Sequence, residues 1–247
     1  AVRGLLVQRR VLYATPTSDQ LDAFWTEVKV ALREPIAAGI LYKNETDHVI
    51  EVSGTKVRIR AKTAFNADTL RGDYADLLIL DEYQLMNESA WEEVGAPMLI
   101  DNAGDAVFIY TPPSRHMSTN KNVVSKARDP RHAAKMFKRV QSGEMGPNWR
   151  AFHWTALDNP YLSPEGLAEV TRDMSSTAYR QEILAEDLED VPGALLKRAT
   201  FDTRPAMPAL EDFDRIVVGV DPATTSDAMS DLTGIVVVGR TPGGKAY

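Results

Sequence analysis

The sequence contains no cysteine, which excludes a disulfide framework and any zinc site built on cysteine ligands. That absence fits an intracellular protein. No apolar run is long enough to span a bilayer as a helix, and no signal-peptide pattern opens the chain. Internal repeats and low-complexity tracts are missing as well. So is any G-x-x-x-x-G-K-[ST] loop: the nearest approach, Gly54-Thr55-Lys56, has neither the spacing nor the following hydroxyl residue. Finally, there is no excess of positive charge. With 28 Lys and Arg against 35 Asp and Glu, the net charge of −7 argues against an overall basic coat for nucleic acid.

What is present is a chain of 247 residues, 44% hydrophobic, with four Trp and seven Phe. This supports a packed core in one large domain or two ordinary ones. The opening AVRGLLVQRR reads as mid-domain sequence, which leads to the expectation of a piece of a longer chain. Charge is unevenly spread. Lys121, Lys126, Arg128, Arg131, Lys135, Lys138, Arg139 and Arg150 face only Asp129 and Glu144 in the same stretch, and the balance reverses from Asp158 to Asp190. From charge alone, a phosphate-binding surface and a solvated helix face are equally good readings.

Arg10 to Ala14 reads as a short buried strand, stopped by Thr15-Pro16-Thr17. Thr17 and Gln20 have capping-box spacing, and Leu21, Phe24, Trp25, Val28 and Leu32 recur at helical intervals. A hairpin follows, His48 to Val52 and Lys56 to Arg60, turning at Ser53-Gly54. Leu77 to Leu80 is a continuous aliphatic run, as for a strand buried on both faces. A helix is expected from Glu88 to Leu99, then a buried strand from Ala106 to Tyr110, stopped by Pro112-Pro113. Arg150 to Trp154 is a further strand candidate. Ser163-Pro164 starts a helix running to about Met174, and a second is expected from Thr177 to Glu186. Arg215 to Val220 and Gly234 to Gly239 are two strong strand signals joined by a polar loop. The strand, helix, strand order predicts an α/β fold with a parallel sheet flanked by helices. The expected division is residues 1–189, a linker at 190–213, and a second domain beginning at 214–247.

The chemistry concentrates at Asp81-Glu82. In open parallel sheets, ligands sit at the carboxyl ends of strands, where a buried aliphatic strand delivers these two acids. The first suits the water shell of a nucleotide-bound Mg²⁺, and the second suits orientation or activation of the attacking water. The bland alternative is a pair of solvent-facing acids that begin a turn. Upstream, Leu70-Arg71-Gly72 could carry a guanidinium to a phosphate, since its planar fork stays charged and binds phosphate bidentately. A surface-loop arginine is the bland reading there.

In this setting the run TAFNADTLRGDYADLLILDEYQLM resembles the Walker B region of bacteriophage terminase large subunits. VLYATPTSDQ is similar to the strand and motif after their P-loop, IYTPPS to their coupling motif, ALDNPYLSPEGLAEV to the stretch before their nuclease domain, and VVGVDPATTSDAMSDLTGIVVVG to the first hairpin of a ribonuclease-H-like nuclease. The five segments occur in the family's order and span nearly the whole chain.

That resemblance implies a P-loop NTPase-type sheet, lacking its P-loop, followed by the first strands of a ribonuclease-H-like domain. It implies an ATPase that moves double-stranded viral DNA into a procapsid, and a metal-dependent endonuclease. Asp81 would serve Mg²⁺ and Glu82 would activate water. Arg71 would be an arginine finger, and Thr111 would sense the γ-phosphate. Gln20 has both a nucleotide-contact and a capping reading. Tyr110 stands where the coupling motif usually has a small hydroxyl residue. Asp221, at the end of its strand, would bind one of two Mg²⁺ or Mn²⁺ ions, while Asp227 and Asp231 read better as turn residues. Lys121, Lys126, Arg128, Arg131, Lys135, Lys138 and Arg139 would contact DNA phosphates without regard to sequence. The family's partners are a portal, a procapsid and a small subunit, its assembly is a homo-oligomeric ring, and its setting is the cytoplasm of an infected bacterium, with no membrane. Two other readings remain: a helicase-type ATPase, and a non-enzymatic DNA- or capsid-binding module. Without a P-loop, this stretch of chain is expected not to bind ATP tightly.

Overall fold

The computed structural model describes residues 1–64, 67–112, 127, 129, 131–188, 208–221 and 234–247. The chain divides into two compact units, Ala1–Gly193 and Ala194–Tyr247.

The first unit is built on six strands: β1 (Val11–Thr15), β2 (Leu41–Asn44), β3 (Val49–Val52), β4 (Arg58–Thr63), β5 (Leu77–Leu80) and β6 (Asp105–Phe108). They lie in the order β2-β3-β4-β1-β5-β6. β4, β1, β5 and β6 pair in parallel, while β2 and β3 join β4 antiparallel, so the sheet is mixed where a parallel one was expected. All five residues of β1 are buried. Their alternation explains why: Leu12 and Ala14 join one core with Leu78 and Leu80, while Val11 and Tyr13 join another with Ile59 and Ile79. Each fully buried Leu of this set contributes about 1.5–3 kcal/mol.

The helices cover both faces. α1 (Val2–Leu6) places buried Leu5 under the second core. α2 (Ser18–Ala31) lays Leu21, Trp25 and Val28 on that same core, and α3 (Arg33–Ala37) follows it directly. The Thr17 hydroxyl accepts from the Gln20 N–H at 3.4 Å, which is half of the expected capping box. The Gln20 side chain does not complete it, because its Oε1 accepts instead from the hydroxyls of Thr15 and Thr17, each at 3.0 Å.

The stretch expected as one helix from Glu88 is helical from Ala90 to Ile100, first as a π-helix, Ala90–Gly95, and then as α4 (Ala96–Ile100). Pro97 has no N–H to continue the incoming helix, so it sits in a first turn. Gly95 is needed for packing: a Cβ there would lie 2.7 Å from Leu78 Cδ2. β6 departs from the expected buried strand. It is the sheet edge, with Ala106 and Phe108 against the core and Val107 43% exposed. Arg150 to Trp154, expected as a strand, forms none among the described residues. α5 (His132–Gln141) buries Ala133 and Ala134. α6 (Pro164–Thr171) has Ser163 as N-cap, its hydroxyl accepting from the Gly166 N–H, and stops short of Met174. The second expected helix is present as α7 (Ser176–Ala178) continued by a π-helical stretch, Tyr179–Ile183, where the Leu184 N–H bonds the Tyr179 carbonyl.

In the second unit, β7 (Arg215–Asp221) and β8 (Gly234–Arg240) form a two-stranded antiparallel sheet. Val217 and Val237 are more than 45% exposed on it. Among the described residues there is no ribonuclease-H-like domain around this hairpin, so that expectation reaches only as far as its two strands.

Candidate functional site

β5 ends at the carboxyl edge of the sheet between β1 and β6, and the turn that follows is held from both sides. The Asp81 N–H donates to the Ala14 carbonyl at 2.9 Å. On the other side the Ile109 N–H donates to the Leu80 carbonyl, and the Tyr83 N–H donates to the Ile109 carbonyl at 3.0 Å. Between these anchors Glu82 adopts a φ of 54°. A left-handed conformation in a residue with a Cβ costs about 1–3 kcal/mol and persists only where its surroundings impose it.

Tyr13 is level with Ile79 in the parallel register, and Asp81 follows Ile79 by two residues on the same face. The Tyr13 hydroxyl therefore reaches Asp81 and donates to Oδ2 at 2.5 Å. Phe24 of α2 stacks flat on the Tyr13 ring at 3.5 Å and fixes it. Burial, followed by the bond to Asp81, pushes the Tyr13 hydroxyl well above its usual pKa, so it stays a donor. Asp81 Oδ1 also accepts from the Glu82 N–H at 3.1 Å.

Glu82 accepts from the Gln84 side-chain amide at 2.7 Å. Burial raises the Glu82 carboxyl above its ordinary pKa, the Gln84 bond opposes that, and the charges of Asp81 and Glu182 add to it. A carboxylate pushed upward in this way is a better proton acceptor than an exposed glutamate. Beneath the turn, the His132 ring packs edge-on to Tyr83 at 4.6 Å. Burial lowers the His132 pKa, while the charges of Glu88 and Asp129 and, after them, hydrogen bonds to the backbone of Tyr83 and Gln84 oppose that shift.

The other sequence-predicted residues fall around this centre unevenly. Thr111 lies between Ile109, which is bonded to the Asp81-Glu82 turn, and Pro112, whose carbonyl accepts from the buried Gln181 amide at 3.0 Å. Gln20 is held at the end of β1 by Thr15. Arg71 is half-exposed, with its ion partners in Asp68 at 2.5 Å and Glu93 at 3.6 Å. It follows a turn tied to the end of β4 through the Thr69 hydroxyl and the Thr63 carbonyl. Four of the described members of the basic run are paired with acids: Arg131 and Lys138 with Asp187, Lys135 with Asp129, and Arg139 with Glu144, while Arg150 donates to the Pro147 carbonyl at 3.3 Å. Internal pairing of this kind weakens the field that a bare basic surface would project. Lys121, Lys126 and Arg128 lie outside the described residues, as do Asp227 and Asp231. Asp221 ends β7 opposite Gly234, and no cluster of three or more His, Asp or Glu suited to a metal surrounds it among the described residues.

Sequence reasoning missed Tyr13, Gln84, His132 and Gln181. Only Tyr13 left a trace, as the one hydroxyl-bearing aromatic in an aliphatic strand.

No family model matches the sequence, and no curated protein matches it. Solved structures do. The ATPase domain of the Thermus phage P74-26 large terminase is similar over 76% of this chain and 80% of its own, with a TM-score of 0.53 and 19% identity. The chain has the fold of a phage large-terminase ATPase domain. The large terminase of a thermophilic bacteriophage, solved in complex with ADP, matches over 97% of this chain with a TM-score of 0.51 and 17% identity. The HK97 bacteriophage large terminase matches over 96% with a TM-score of 0.52 and 16% identity. The chain spans 55% and 51% of those two proteins, about half of each. In this terminase fold, the Asp81-Glu82 turn stands at the carboxyl edge of the central parallel strands.

Proposed function

We propose that the chain is part of a phage terminase large subunit, an ATPase that drives double-stranded DNA into a procapsid and carries a metal-dependent nuclease. The observation that carries this reading is the Asp81-Glu82 pair, held between β1 and β6 by the Tyr13 hydroxyl and the Ile109 carbonyl. Asp81 supplies one hard oxygen donor. That fits Mg²⁺ bound with ATP, which takes most of its ligands from phosphate and water. Glu82, raised in pKa by burial, orients the attacking water and receives its proton. Gln20 borders the nucleotide, Thr111 senses the γ-phosphate, and Arg71 acts on the ATP of a neighbouring subunit in a ring. The phosphate-cradling loop is not in this sequence.

DNA is held through phosphates, without sequence preference, as a motor that moves any sequence requires. Lys121, Lys126, Arg128, Arg131, Lys135, Lys138 and Arg139 form that contact. Asp221 is one ligand of a two-metal nuclease centre using Mg²⁺ or Mn²⁺. The described residues do not assemble such a centre, so no cleavage step is assigned to them. The portal, procapsid and small terminase subunit are the partners, and the setting is the cytoplasm of the infected host. Among the described residues, no helix is long and apolar enough to cross a membrane.

The test is Mg²⁺-dependent ATP hydrolysis by the complete protein, with Asp81→Asn and Asp221→Ala beside the wild type. Asp81→Asn abolishes hydrolysis, whereas Asp221→Ala keeps it and loses DNA cleavage. Unimpaired hydrolysis by Asp81→Asn, or cleavage by Asp221→Ala, contradicts the respective assignment.

A further inference from the structure

The chain leaving β6 is in contact with two parts of the molecule that are distant in sequence. Its Ile109 N–H and carbonyl are both used by the turn after β5, bonding Leu80 and Tyr83. Three residues later the buried carbonyl of Pro112 accepts from the side-chain amide of Gln181, which is only 6% exposed. This bond spans 69 residues of sequence and joins the chain leaving β6, three residues past Ile109, to the π-helical stretch Tyr179–Ile183. The same segment is tied down at two further points. The Asp187 carboxylate pairs with Arg131 at 2.5 Å and Lys138 at 3.3 Å, beside α5. The Ala185 carbonyl, at a residue with φ of 50°, lies 3.1 Å from His153 Nε2. Next to Gln181, the charge of Glu182 reaches Glu82.

We propose that Gln181 is a positioning residue: its amide clamps the Pro112 carbonyl, so that segment 176–188 and the Asp81-Glu82 turn hold their places together. The physical case is that of a buried carbonyl held by a side-chain donor distant in sequence. Removing the donor takes a hydrogen bond from a buried acceptor, and the strand exit regains freedom that passes through Ile109 to the Tyr83 and Leu80 bonds. Gln181 acts through Pro112 and touches no reacting atom. The inference deepens the proposed ATPase reading at the same site, and its functional arm rests on that reading.

The experiment uses Gln181→Met, which keeps length and bulk but donates nothing. In the 247-residue chain, amide hydrogen exchange at Tyr83 and Ile109 should quicken about tenfold, with Leu12 and Ile79 unchanged. Unchanged exchange at Tyr83 and Ile109 overturns the clamp. So does a uniform increase that includes Leu12, which would mark a general core defect. In the complete protein, the same variant should lower kcat for ATP about tenfold and leave KM within about twofold. A raised KM with kcat preserved overturns the positioning role. If the complete wild type hydrolyses no ATP, the functional reading fails, while the exchange result still decides the clamp.

Discussion

β5 and β7 are nearly the same object in sequence and very different objects in space. Each is a run rich in branched aliphatics that ends in an aspartate, Leu77–Leu80 before Asp81 and Arg215–Asp221. β5 lies between two parallel neighbours with Leu78 and Leu80 fully buried, and Asp81 receives a tyrosine hydroxyl. Among the described residues β7 has one antiparallel partner, its residues are exposed along both faces, and Asp221 ends opposite a glycine. The difference teaches that an aliphatic strand ending in an acid specifies a strand, while a site requires other elements to converge on that acid.

The largest expected effect separates the two strands directly. Leu78→Ala should cost about 2–5 kcal/mol of unfolding free energy, because it opens a cavity in a core that cannot collapse around it. Val218→Ala, at a residue 56% exposed, should change stability by less than about 0.5 kcal/mol. Urea denaturation of both variants checks this, and equal costs would erase the contrast.

A smaller effect is expected at the aspartates. Tyr13→Phe removes the donor to Asp81 and should cost about 1–2 kcal/mol, with the fold unchanged. Asp81→Asn in the Tyr13→Phe background should then cost less than in the wild type, and a double-mutant cycle measures that coupling. Additive costs would mean that the hydrogen bond contributes nothing.

The smallest effect concerns pH. Glu82 is raised in the folded state, chiefly by burial, so the folded protein binds more protons than the unfolded chain between the ordinary glutamate pKa and the raised one. Stability carried by this group is present at low pH and is lost as pH rises through that window. Glu82→Gln should therefore be more stable than the wild type at neutral pH, with the gap closing below the ordinary glutamate range. Melting temperatures across that range decide the sign.

Much of the first unit was legible because its signals are local. The aliphatic runs of β1 and β5, the turn at Gly54 with its φ of 76°, and the caps Thr17 and Ser163 each depend on neighbours a few residues away. The edge position of β6 was not legible, because Ala106 to Tyr110 is apolar at every position and only the strand order shows which face stays open. The pairings around the site were hidden for a similar reason. Tyr13 with Asp81, Gln181 with Pro112 and Arg131 with Asp187 join residues 56 to 69 positions apart, and no periodicity records such contacts. Charge counting likewise could not show that Arg131, Lys135, Lys138 and Arg139 are engaged with carboxylates within the same unit.

The central claim is that Glu82 works on the water that attacks ATP while Asp81 serves the metal. Its most direct test is single-turnover ATP hydrolysis by the complete protein carrying Glu82→Gln, with nucleotide affinity measured in parallel. The account predicts a rate at least about 100-fold below wild type with affinity within a few-fold. A rate close to wild type would contradict it.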